Sequence, residues 1–137
     1  MTNKQDMTLD QQRANHAWRS IEDLKRLRPN EQKEYAGEAK KLPVRIMNSG
    51  LGQALAFIRS KARDKKTALS RLHDDLTDWT LKERGLPGAV PDSLLVSICK
   101  GDALFLRRAT DEVLAYLEWL NRFAEAEGMT DGTEQTA

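Results

Sequence analysis

Few residues in this sequence have the type and spacing that chemistry needs. His73, Asp74 and Asp75 are consecutive and Asp78 follows one helical turn later. A neutral imidazole beside carboxylates is the start of a metal site or a general acid/base pair. Such a site needs more histidines or carboxylates converging on it, and the other histidine, His16, falls on a different expected helix. Asp74, Asp75 and Asp78 therefore read more simply as a solvated acidic face turned toward basic neighbours. Cys99 lies in the apolar stretch SLLVSICKG with no histidine near it in sequence, which suits a small buried hydrophobe better than a nucleophile. Gly50-Leu51-Gly52 precedes a helix and could offer amides to a phosphate. It lacks both the Lys-Ser/Thr ending of a P-loop and a preceding strand, so it reads as a tight helix junction. No catalytic residue, metal ligand or cofactor site is assigned, and a non-catalytic protein is expected.

Charge carries more. Lys plus Arg number 22 and Asp plus Glu 21, for a formal net charge of +1. That average hides a division along the chain. Residues 125–137, EAEGMTDGTEQTA, hold four acids and no base and lack apolar content, so a disordered acidic tail is expected there. Residues 40–73 hold Lys40, Lys41, Arg45, Arg59, Lys61, Arg63, Lys65, Lys66 and Arg71 against the single acid Asp64. Such a run is either a solvated face or a footprint for a phosphate backbone.

The elements that must position these charges are helices. Leucine and alanine supply 33 residues, valine and isoleucine only 8, a balance against strands. Thr8 and Gln11 fit a capping box opening a first helix from about Leu9 to Arg28. Pro29-Asn30 makes a break, with Asn30 as N-cap of a second helix reaching Leu42, where Pro43 kinks or interrupts it. The segment Pro43 to Asn48 can restart as a helical turn with Pro43 at its first position, and Asn48-Ser49-Gly50 is the stop of that turn. A third helix from Leu51 buries Ala54, Leu55, Phe57, Ile58 and Ala62 and turns Gln53 and Ser60 away. A fourth, from about Asp64, carries Leu69, Leu72, Leu76 and Trp79 and stops before Gly85 and Pro87. Asp92 can cap a short helix through Leu94, Leu95, Val96 and Ile98 that ends at Gly101. The last helix, from about Asp102, has the stripe Leu106, Ala109, Val113, Leu117, Leu120 and Ala124, in steps of three and four. Trp18, Trp79 and Trp119 read as packing or subunit-contact residues rather than base-stacking platforms.

A chain of 137 residues with 39% hydrophobic and 31% charged residues and a mean hydropathy of −0.65 suits one domain. The expected fold is all-α, a compact bundle of about five to seven helices over residues 9–124. Residues 1–8 are expected to be a flexible segment and 125–137 the tail. No apolar run approaches the ~20 residues of a membrane span. The polar opening MTNKQDMTLDQQ lacks a signal-peptide core, and one cysteine excludes a disulfide framework. Cytoplasmic location follows as an expectation, with no membrane partner.

The stretch Tyr35 to Phe57, YAGEAKKLPVRIMNSGLGQALAF, resembles the small helical subunit family of type III-B CRISPR effector complexes, the Cmr complexes. In that family a helix ends near a Leu-Pro pair, here Leu42-Pro43. An apolar turn follows, and then a helix of the pattern held here by Gly50, Leu51, Gln53, Leu55 and Phe57. The closing run from Arg107, Arg108, Ala109 and Thr110 to Trp119, Leu120, Arg122 and Phe123 is also similar to that family's last helix. The match spans roughly residues 9 to 124, and within Asp64 to Pro91 it rests mainly on helical character.

The resemblance implies a non-catalytic subunit with no cofactor that serves antiviral defence. Its partners would be other Cmr subunits, copies of itself stacked head to tail, and guide and target RNA contacted through the backbone. It gives the basic stretch a purpose, because paired RNA followed without reading its sequence calls for Lys and Arg on phosphates. Lys41 and Arg45, four apart, and Arg59 and Arg63, four apart, are the leading phosphate contacts. Lys40, Lys61, Lys65 and Lys66 add long-range field, and Arg107 and Arg108 are placed to meet RNA or a neighbouring subunit. Two alternatives from other classes stay open: a helical protein-protein adaptor without RNA binding, and a small metal enzyme built on His73, Asp74, Asp75 and Asp78.

Overall fold

The computed structural model describes residues 6–62, 67–90 and 93–130. Among them lie six α-helices and no strand: α1 Leu9–Leu24, α2 Pro29–Ser49, α3 Leu51–Ala62, α4 Ala68–Thr77, α5 Leu94–Lys100 and α6 Ala103–Ala126. The all-α expectation holds. The helix α6 is the spine: α1 and α2 pack along it, α3 and α4 cover α2, and α5 bridges α3 to the start of α6.

Local chemistry sets the ends. Thr8 caps α1 with the expected box, its hydroxyl accepting from the Gln11 amide at 3.0 Å while the Gln11 side chain accepts from the Thr8 amide at 2.8 Å. The helix stops at Leu24 rather than Arg28. Proline disfavours helical geometry at its predecessor, and Arg28 is extended at ψ 152°, so the chain turns over Lys25 to Leu27 to get there. Arg28, not Asn30, is the N-cap of α2, and Pro29 takes the first helical position. Ser93 caps α5 through the Val96 amide, while Asp92, expected there, lies outside the described residues. The fourth helix starts at Ala68 behind a Thr67 cap, and the expected start at Asp64 lies outside the described residues.

The main departure is at Pro43. It does not interrupt α2, which runs unbroken for 21 residues to Ser49. A proline has no amide to give the carbonyl four residues back, which would leave the Ala39 oxygen orphaned. Asn121 of α6 fills that place, its side-chain amide donating to the Ala39 carbonyl at 3.1 Å. Gly50, at φ 88°, then reverses the chain into α3 in a conformation that favours glycine. Gly52 lies so close to α5 that an added Cβ would meet Ile98 at 3.4 Å. The Gly50-Leu51-Gly52 segment is thus the tight junction expected of it.

The core joins Ile21, Leu42, Leu55, Leu72, Leu76, Val113 and Leu117, with Trp79 stacked on Tyr116 at 5.8 Å and 12°. The α4 segment continues into a π-helical turn, Asp78–Glu83, that carries Trp79 inward. Two apolar expectations fail. Phe57 and Leu106, read as core, are 41% and 40% exposed. The chain also stays ordered beyond residue 124, where the tail was expected to begin: α6 continues to Ala126 and Met129 is buried, its amide on the Ala124 carbonyl at 2.9 Å.

Candidate nucleic-acid interface

The unbroken α2 puts Lys41 and Arg45 on one face, one turn apart. On α3, Phe57 and Lys61 share a face by the same spacing. These two faces meet. Arg45 lies over the Phe57 ring at 4.1 Å and Lys61 over the same ring at 5.0 Å, which is why Phe57 tolerates exposure. Beneath them sits Glu38, which accepts from Arg45 Nη1 at 2.5 Å and from Lys61 Nζ at 2.8 Å. Glu38 is only 5% exposed. Burial pushes its carboxyl up, and the bonds from Lys61 and Arg45 outweigh that, holding it below its ordinary value and therefore ionised at neutral pH.

The other expected contacts are dispersed. Lys41 is exposed and Lys40 half-buried on α2. Arg59, two residues from both Phe57 and Lys61, leaves α3 on another side. It lines a cavity of about 230 Å³ with His73, Asp74, Ser70, Thr77 and Ser93. Arg63, Lys65 and Lys66 lie outside the described residues. Arg107 and Arg108 are exposed at the start of α6, and Arg108 lines a cleft with Arg13, Arg84, Asp111 and Glu112. The seven candidate cations among the described residues therefore do not make one patch. One pair, Arg45 and Lys61, is held together, with Lys41 one turn away.

Glu38 and Phe57 are not among the site residues that the sequence pointed to. The signal for Glu38 is its seven-residue spacing from Arg45, which closes two helical turns, and it becomes visible only once α2 is allowed through Pro43.

The catalytic candidates disperse as well. His73 is buried, its Nε2 meets no partner, and burial with the Arg59 charge lowers its pKa, so it stays neutral. The acidic face is not a solvated strip. Asp74 is exposed, but Asp75 accepts from the Tyr35 hydroxyl at 2.6 Å and Asp78 lies 2.7 Å from His16 Nε2. The other His16 nitrogen is 2.7 Å from the Tyr116 hydroxyl, which also meets Ser20 at 3.0 Å. Among the described residues no group of three His, Cys, Asp or Glu side chains is arranged to hold a metal. Cys99 is exposed, contrary to expectation, because it faces a groove of about 580 Å³ between Leu51, Ala56, Leu95, Ile98 and Leu106 that nothing among the described residues fills. Of the tryptophans, Trp79 is core, whereas Trp18 is 38% exposed and packs edge-on to Phe123 at 5.2 Å. No helix among the described residues is long and apolar enough to cross a membrane.

Fold and site together define an all-α protein whose cations and apolar grooves lie at its surface while its interior carboxylates are engaged in packing. The family described as CRISPR-associated protein (Cas_Cmr5) matches residues 9–127. The CRISPR system Cmr subunit Cmr5 of Thermus thermophilus is 39% identical over 93 residues, which are 68% of this chain and 74% of that protein. A crystal structure of a CRISPR-associated Cmr5 family protein from the same organism superposes with a TM-score of 0.70 at 32% identity, covering 88% of this chain and 97% of that one. The chain belongs to the Cmr5 family, the small helical subunits of type III-B CRISPR complexes.

Proposed function

We propose that this chain is the non-catalytic small subunit of a Cmr complex, stacked in several copies and touching guide and target RNA through their phosphate backbones. That its Thermus thermophilus relative is a Cmr subunit supports membership of such a complex. The observation that supports RNA contact is the junction of α2 and α3, where Lys41, Arg45 and Lys61 come together on an exposed face. Lys41 has no ion pair among the described residues, which leaves it free for a phosphate oxygen. Sequence choice would rest with guide pairing, because the face offers charge rather than a set of base-edge donors and acceptors.

Self-stacking draws on the two ends of α6. Near its start, Leu106 opens onto the apolar groove, with Leu104 also exposed. Near its end, Trp18 and Trp119 cluster on Phe123. Leu106 and Phe123 are separated by about 25 Å of helix, so two unlike apolar surfaces stand at opposite ends, as a contact that does not close into a dimer requires. The same groove favours a second reading, a protein adaptor without RNA contact.

The deciding experiment is Lys41→Glu in a reconstituted complex. Target RNA affinity is expected to fall about tenfold at low salt, with a shallower salt dependence. Intact assembly with unchanged affinity across the salt series would leave the adaptor reading in place.

A further inference from the structure

Glu38 is a carboxylate placed where a phosphate would go. Arg45 and Lys61 converge on it at 2.5 and 2.8 Å, from two helices, over one exposed ring. Both cations keep contact with solvent, their side chains 27% and 42% exposed, whereas the Glu38 side chain is 6% exposed. We infer that Glu38 is an internal competitor for RNA phosphate that sets the affinity of the α2–α3 face by engaging Arg45 and Lys61 and cancelling one of their two charges, leaving Lys41 untouched. This rests on the RNA-contact reading above.

The physical argument is one of exchange. An RNA phosphate approaching this face from solvent can recruit Arg45 or Lys61 only by sharing or breaking an existing charge-assisted bond. The gain at the phosphate is offset by the loss at Glu38, a buried anion that cannot turn to water. Lys41 bears no such cost. One copy would therefore grip RNA weakly, and affinity would accumulate through several copies whose contacts each break readily.

The test uses the assembled complex and a labelled target RNA over a salt series. With Glu38→Gln, which keeps the side chain's size and one acceptor, affinity should rise at least threefold and the salt slope should steepen by about one. In the wild-type background, Arg45→Met and Lys61→Met should each cost less affinity than Lys41→Met. In the Glu38→Gln background each should cost as much as Lys41→Met. Equal or weaker binding by an assembled Glu38→Gln complex overturns the inference and makes Glu38 an organiser of the face instead. If that variant fails to assemble, the methionine variants decide alone, and losses at Arg45 or Lys61 matching that at Lys41 overturn it. Should Lys41→Glu also leave binding unchanged, the RNA-contact reading itself falls, which separates the two failures.

Discussion

Two glutamates, Glu38 and Glu112, are each 5% exposed and each collect two cations, yet they sit in opposite kinds of place. Glu112 on α6 receives Arg13 of α1 through two nitrogens at 2.5 and 3.1 Å, Arg84 at 3.1 Å and the Trp79 indole at 3.0 Å. Its partners come from α1 and from the π-helical turn with its cap residue Arg84, and include the most deeply placed tryptophan. Glu38 receives only its two cations, from neighbouring helices, beside an exposed phenylalanine. In both cases burial raises the carboxyl pKa and hydrogen-bonded cations bring it back below normal. The same chemistry closes the fold at Glu112 and tunes a surface at Glu38. What differs is whether the donors have anything else to do.

The comparison breaks most readily at Glu112. Glu112→Ala leaves Arg13, Arg84 and the Trp79 indole without their acceptor, and should cost about 3 to 5 kcal/mol of unfolding free energy in a denaturant titration. Glu38→Gln should cost well under half of that, since Arg45 and Lys61 can turn to water. Equal losses would mean that Glu38 is as structural as Glu112.

A third, partly buried carboxylate sharpens the point by lacking a cation in hydrogen-bond contact. Asp75 is bound by the Tyr35 hydroxyl, and burial is the largest effect on it, raising its pKa from 3.8 to about 7. Tyr35 and the Arg71 charge pull it down, and Asp74 and Asp23 push it up. The folded state therefore holds the proton more tightly than the unfolded chain. The stability this contributes is complete below pH 3.8 and is lost as pH rises to about 7, amounting to roughly 4 kcal/mol. Asp75→Asn keeps an acceptor for Tyr35 and removes the titration, so its stability should change less over that window than wild type's. Parallel pH profiles for the two proteins would show that Asp75 takes up its proton in the fold no more readily than in the unfolded chain.

The sequence already disclosed the helices and the basic run, because period and composition are local properties. The Thr8 capping box, the stop at Gly50 and the final helix could each be read from a few neighbouring residues. What could not be read depends on partners distant in the chain. Phe57 has core character and core spacing, and only the cations of α2 and α3 over its ring explain its exposure. Asp75 and Asp78 look like a purely solvated face until Tyr35, 40 residues away, and His16, 62 residues away, engage them. Glu38 was hidden for a different reason, an interruption assigned to Pro43 that the fold repairs from outside the helix.

That repair supports the smallest and most specific prediction. Asn121 donates to the carbonyl of Ala39, the residue after Glu38, and so replaces the amide that Pro43 lacks. Without it α2 would carry a buried unpaired oxygen between Glu38 and Arg45, where the two turns must stay in register for the ion pair to form. Asn121→Ala should cost about 1 to 2 kcal/mol. Pro43→Ala restores an amide donor at position 43, so the Asn121 substitution should cost less in that background. A coupling of about 1 kcal/mol in the double-mutant cycle would tie α2's continuity to α6. Additive losses would mean that α2 passes Pro43 without Asn121, and the Glu38 site would then owe its geometry to α2 and α3 alone.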